Sequence, residues 1–111
     1  MKRGEIWTLQ DDRYASKARP VIIIQGTLAD AFDSVILCLL TTFDSEKVAT
    51  RVKVEPNEFN GLLKTSFVMT EKLITVRKEE LGILVGNLTD SQMHAIARQL
   101  ASVLEITADD I

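Results

Sequence analysis

Two uncharged runs, Val21-Ile22-Ile23-Ile24 and Val35-Ile36-Leu37-Cys38-Leu39-Leu40, constrain this chain more than any other feature. The first is β-branched throughout and ends at Gly26-Thr27, and the second leads into the hydroxyl pair Thr41-Thr42. Continuous hydrophobicity over so few residues reads as a strand buried on both faces, not as a strand with one wet side. Strands are therefore expected over residues 19–25 and 34–42. The first opens on Arg19-Pro20, where a missing N–H is tolerated and a fixed cation stands at the mouth of a buried strand. Guanidinium is always charged and matches phosphate oxygens in a two-pronged geometry, which makes Arg19 the first candidate site residue.

The flanking pattern adds short strands and one helix. Residues 5–9 mix apolar and polar side chains around Trp7 and read as an edge or barrel strand, with Trp7 as core. Residues 10–18 are polar, contain Tyr14 as their one large ring, and read as a mobile loop. A connection is expected over 28–33 and a charged turn over 43–49. Residues 50–54 alternate, with Val52 and Val54 on one face and Arg51 and Lys53 on the exposed other. Pro56-Asn57 begins a turn that ends near Asn60-Gly61. A long strand is expected over 66–76, with Glu71 and Lys72 in its middle, then a helical turn over 78–81 and a last strand over 83–88. Thr89 and Gln92 form a capping-box pattern, and Met93, Ile96, Ala97, Leu100, Val103 and Leu104 recur at helical spacing. That stripe is expected to pack on the sheet, leaving His94 on the surface. The fold class is therefore mainly β with α (α+β), a small SH3-like curled β-barrel closed by a C-terminal amphipathic helix.

A chain of 111 residues is the size of one domain, taken as residues 1–111. Its apolar runs are far shorter than the roughly 20 residues that span a bilayer, and Met1-Lys2-Arg3 is followed by Gly4-Glu5 instead of an apolar segment. No membrane association and a cytoplasmic location are expected. One Cys and one His supply no zinc-ligand cluster, and no glycine-rich phosphate loop is present. Neither a metal nor a cofactor is expected, and Cys38 reads as a small core residue. The net charge of −3 is unevenly placed: residues 1–20 hold Lys2, Arg3, Arg13, Lys17 and Arg19 against three acids, whereas residues 79–111 hold six acids against Arg98. A local basic cleft for a few nucleotides is compatible with that distribution.

The opening Arg3-Gly4-Glu5-Ile6-Trp7, the segment Arg19-Pro20-Val21-Ile22-Ile23, the third strand ending in Thr41-Thr42 and the closing helix together resemble the MazF/PemK-type toxins of toxin–antitoxin pairs. The resemblance covers most of the chain and implies a CcdB-like barrel, a homodimer, and a metal-independent endoribonuclease that cleaves single-stranded RNA. It also implies a cognate antitoxin with an acidic, disordered tail. Arg19 and Thr41 match the family's catalytic positions. Arg19 would hold the scissile phosphate and Thr41 would donate to a nonbridging oxygen as charge builds there. Tyr14, Lys17, Pro20, Thr42, Phe43, Glu71 and Lys72 are expected to bind substrate, the rings by stacking and the others through phosphate or base edges. Lys72 stands where many members have Gln and Ile74 where several have Arg, so the family's base preference does not carry over. Two other classes remain: a gyrase-binding toxin, which the C-terminal Asp109-Asp110-Ile111 disfavours, and a non-catalytic SH3-like interaction module.

Overall fold

The computed structural model describes residues 1–11 and 15–111, and side chains outside residues 11–17. Six strands form one antiparallel sheet: β1 (Glu5–Asp11), β2 (Ala15–Ile23), β3 (Ser34–Thr41), β4 (Arg51–Val54), β5 (Ser66–Arg77) and β6 (Leu81–Asn87), in the spatial order β4-β5-β3-β2-β1-β6. The helix α1 (Asp90–Val103) follows β6. No described helix is long and apolar enough to cross a membrane.

The two apolar runs occupy the middle of the sheet, as their composition requires. Val21, Ile22, Ile23, Leu37 and Cys38 are all fully buried. On one face Ile6, Ile22, Cys38, Leu40, Val54 and Val68 pack beneath Met93, Ile96 and Leu100 of α1. On the other, Leu9, Val21, Ile23, Val35, Leu37, Val76 and Leu81 form a second cluster, flanked by the half-buried Trp7. Thr89 caps α1 through the expected reciprocal pair with Gln92. His94 is on the surface. Leu104 departs from the expected stripe: it lies at the C-terminal cap of α1, 53% exposed, because the helix ends before that turn reaches the sheet.

Two further expectations are corrected. Residues 10–18 are not one loop: Gln10 continues β1 and Ala15–Ala18 begin β2, joined by the pairs Leu9↔Arg19 and Asp11↔Ala15. Backbone hydrogen bonds hold this polar hairpin, so side-chain hydrophobicity did not signal it. The sheet is also not closed into a barrel, since among the described residues no ladder joins β4 to β6. The chain between β4 and β5 lies along β6 instead, where the Asn87 amide donates to the Phe59 carbonyl at 2.9 Å. Gly61 makes that approach possible: its φ is +65°, and a Cβ there would sit 2.5 Å from the Val85 carbonyl oxygen. Fully buried Asn60 ties the segment down, accepting from the Asn57 and Leu62 amides and donating to the Glu55 carbonyl.

Candidate active site

The β2–β3 ladder runs from Ile23↔Leu37 to Val21↔Leu39. Beyond it Pro20, with no N–H to donate, lets the strands part. Side chains two residues apart share a face, so Arg19 follows Val21 and Thr41 follows Leu39 on either side of the parting. Both line one small cleft of about 130 Å³ with Pro20, Leu9, Val21, Leu39, Leu40 and Met69. Met69 comes from β5, directly opposite Leu39. The cleft is therefore apolar at its floor and polar at its rim, an arrangement in which a charge–dipole contact is weakened less by water than on open surface.

The two rim groups differ in their commitments. The Arg19 side chain is exposed and has no hydrogen bond or ion pair among the described residues. Thr41 is half-buried, and its Oγ1 accepts from the Phe43 amide at 3.1 Å. One lone pair of that hydroxyl is thereby used, and its O–H remains available to donate. A guanidinium and a hydroxyl donor facing one cleft are suited to holding a tetrahedral or pentacoordinate oxyanion.

The other expected residues are distributed unevenly. Pro20 is in the cleft, and Thr42 and Phe43 follow it on the exposed strand end, Phe43 with 70% of its surface free. Tyr14 lies outside the described residues, and Lys17 has its backbone in β2 with its side chain outside the described set. Lys72 is exposed. Glu71 is held rather than free. Its Oε2 accepts from Arg51 Nη2 and Nε at 2.8 and 3.1 Å, and its Oε1 from Thr50 Oγ1 at 2.8 Å. Partial burial alone would raise its carboxyl, but the donors of Arg51 and Thr50 and the Arg51 charge keep it below the usual carboxylate range. Arg51 Nη1 in turn donates to Ser45 Oγ at 3.0 Å, and Ser45 Oγ to the Phe43 carbonyl at 2.9 Å. This chain of contacts ends at the residue whose amide holds Thr41. Lys53 is also engaged, in an ion pair with Glu46. Arg51 and Lys53, expected as an exposed basic face, are therefore largely neutralised by partners on the same side of the sheet. Cys38 is buried in β3 on the face that α1 covers, where desolvation, with the Glu71 charge adding, pushes its thiol up to about 12 and leaves it a neutral packing group.

Sequence reasoning missed Leu9, Leu39 and Met69 as cleft walls and Arg51 with Ser45 as the support behind Thr41. Leu39 is two residues from Thr41 and was within reach of the alternation rule. Met69 and Ser45 were not, because strand register sets the neighbours of Met69 and the path of the connection between β3 and β4 brings Ser45 to Arg51.

Comparison with known proteins places this geometry in a context. The family model described as a PemK-like, MazF-like toxin of type II toxin–antitoxin systems matches residues 2–104. A probable endoribonuclease MazF from Mycolicibacterium smegmatis (strain ATCC 700084 / mc(2)155) is 36% identical over 107 residues, 96% of this chain and 98% of that protein. Among solved structures, an endoribonuclease in complex with its cognate antitoxin from a mycobacterial species superposes with a TM-score of 0.83 at 25% identity, covering 96% of this chain and 97% of that one. The Mycobacterium tuberculosis toxin MazF-mt6 gives a TM-score of 0.78 at 29% identity, over 93% and 98% of the two chains. A MazE–MazF structure from Deinococcus radiodurans, 12% identical with a TM-score of 0.78 over 96% and 97%, shares the fold alone.

Proposed function

This chain belongs to the PemK-like, MazF-like toxin family of type II toxin–antitoxin systems, and on that premise we propose that its Arg19–Thr41 cleft cuts single-stranded RNA sequence-selectively and without a metal ion. It is an endoribonuclease toxin of the MazF kind. The observation that carries the finer reading is the meeting, at one small cleft, of a guanidinium and a hydroxyl O–H that have no acceptor among the described residues.

The chemistry suited to that pair uses the RNA as its own nucleophile. The 2′-oxygen bonds to the adjacent phosphorus, the bond from phosphorus to the 5′-oxygen breaks, and the 2′-proton leaves as the 5′-oxygen gains one. Negative charge grows on the nonbridging oxygens, where Arg19 supplies two parallel N–H donors and Thr41 supplies an O–H. Held there before the reaction, these donors need no reorganisation as charge develops. The products are a 2′,3′-cyclic phosphate, or the 3′-phosphate formed by its hydrolysis, and a 5′-hydroxyl.

The same reading takes residues 1–111 as a single toxin domain with a CcdB-like, SH3-related curl to its open sheet. The toxin works in the cytoplasm as a homodimer, and an acidic, disordered antitoxin tail neutralises it by covering Arg19. Cleavage of a long RNA in EDTA, followed by analysis of the ends, tests the proposal. Cyclic phosphate or 3′-phosphate ends, and no cutting where the scissile ribose is replaced by 2′-deoxyribose, are the expected results. Strict magnesium dependence or 5′-phosphate ends would overturn it.

A further inference from the structure

Ser45 is 2% exposed in a connection between β3 and β4, residues 42–50, whose other members are exposed or half-buried. Its Oγ donates to the Phe43 carbonyl at 2.9 Å and accepts from Arg51 Nη1 at 3.0 Å. Resting on the reading of the cleft given above, we propose that Ser45 and Arg51 are positioning residues of the cleavage reaction: anchored on Glu71, they fix Phe43 and, through it, the direction of the Thr41 O–H.

Phe43 needs such a hold. The β3–β5 ladder ends at Thr41↔Phe67, so Phe43 has no strand partner, and its side chain, 70% exposed, contributes little packing. Two hydrogen bonds among the described residues fix its backbone instead: its amide donates to Thr41 Oγ1 at 3.1 Å, and its carbonyl accepts from Ser45. The first of these sets Thr41. A hydroxyl that accepts from a fixed N–H turns its own proton to another side, which leaves the cleft rim among the directions open to it. A Phe43 free to move would remove that bias, and a donor that must reorient as charge develops stabilises the charge less.

The anchor comes from strand register. On β5, Met69 and Leu73 face the adjacent β3 residues Leu39 and Cys38, so residues 70–72 stand outside that ladder as a bulge. Bulges re-aim side chains. This one opens at Met69, a wall of the cleft, and carries Glu71, whose carboxylate accepts from Arg51 Nε and Nη2 and from Thr50 Oγ1. Thr70 Oγ1 donates to the Thr50 carbonyl, which ties the end of the connection to the same bulge. With Nε and Nη2 on Glu71, the planar guanidinium holds Nη1 at a fixed angle toward Ser45. An ammonium supplies a point charge and no such fork. The connection has a second tether, the ion pair of Lys53 with Glu46, which touches neither Phe43 nor Thr41.

The test uses the full-length protein and single-turnover cleavage of a short RNA spanning a mapped cleavage site, with protein concentration varied to separate the saturating rate from binding. Ser45→Ala and Arg51→Lys should each lower the saturating rate about tenfold and leave the half-saturating concentration within about twofold of wild type. Arg51→Lys carries the comparison independently should Ser45→Ala not fold. Lys53→Ala, which cuts the other tether, should leave the saturating rate unchanged. On a Thr41→Val background, Ser45→Ala and Arg51→Lys should add nothing, because the group they act through is gone. If Thr41→Val slows cleavage and neither Ser45→Ala nor Arg51→Lys does, the cleft reading stands and the positioning role is refuted. A loss that persists in full on Thr41→Val, or an equal loss in Lys53→Ala, would show that the connection needs only to be tethered, and the proposal falls. Wild-type cleavage by Thr41→Val would remove the reading of the cleft and this role with it.

Discussion

Thr41→Val separates the chemistry from the fold, because it replaces a hydroxyl by a methyl of nearly the same shape. Two interactions are lost. The first is the Oγ1 acceptor for the Phe43 amide at 3.1 Å, at an exposed turn where water takes its place. A neutral hydrogen bond of that kind contributes about 1 kcal/mol or less, so the melting temperature should move by no more than roughly 5 °C. The second is an O–H available to donate at the rim of a cleft floored by Leu9, Val21 and Leu39. Bulk water substitutes poorly for a donor there, and loss of one preorganised oxyanion donor costs about a hundred-fold to a thousand-fold in rate. Single-turnover cleavage of a fluorophore-labelled RNA, run beside a thermal melt of the same preparation, measures both effects. Thr41→Ser, which keeps the hydroxyl, should cut within about tenfold of wild type. A folded Thr41→Val that also cuts within tenfold would refute the assignment of Thr41 to the developing charge.

Arg19→Lys should lose about a hundred-fold in kcat/KM despite keeping its charge, since a point-like ammonium does not reproduce a two-pronged contact; near-normal cleavage would show that only charge is used. Asn60→Ala should lower the unfolding free energy by about 3 kcal/mol in a urea titration, because it strands the Asn57 and Leu62 amides and the Glu55 carbonyl, and a loss under about 1 kcal/mol would mean that water replaces the amide. Glu71 has a lowered folded pKa, so the stability it contributes is complete above the ordinary carboxylate range and is lost as pH falls through the folded value. Glu71→Gln should therefore flatten the acid-side decline in the urea midpoint by an amount worth less than about 1 kcal/mol, and an unchanged slope would show that the Arg51 pair does not contribute.

The residue pattern alone determined which segments are buried and how the helix begins. Val21 to Ile24 and Val35 to Leu40 have no polar side to turn outward, so they had to be central strands, and Thr89 with Gln92 supplies its own capping chemistry locally. Thr41 was legible as the last residue of its strand and Arg19 as the cation before an apolar run, although β2 begins four residues earlier, at Ala15; through the family resemblance the two were legible as partners. Their meeting across the end of the β2–β3 ladder, and the arrival of Met69 beside them, were decided by register, which depends on pairs far apart in the chain. The polar hairpin of β1 and β2 was illegible because backbone groups make it. Glu71 shows the remaining limit. Composition marks it as an acid in mid-strand, but only the bulge that breaks register between Cys38 and Leu39, together with β4 alongside, brings the Arg51 guanidinium onto it. Whether a charge is free for a ligand or already spent on a neighbour is a property of distances, and those exist only once the sheet has formed.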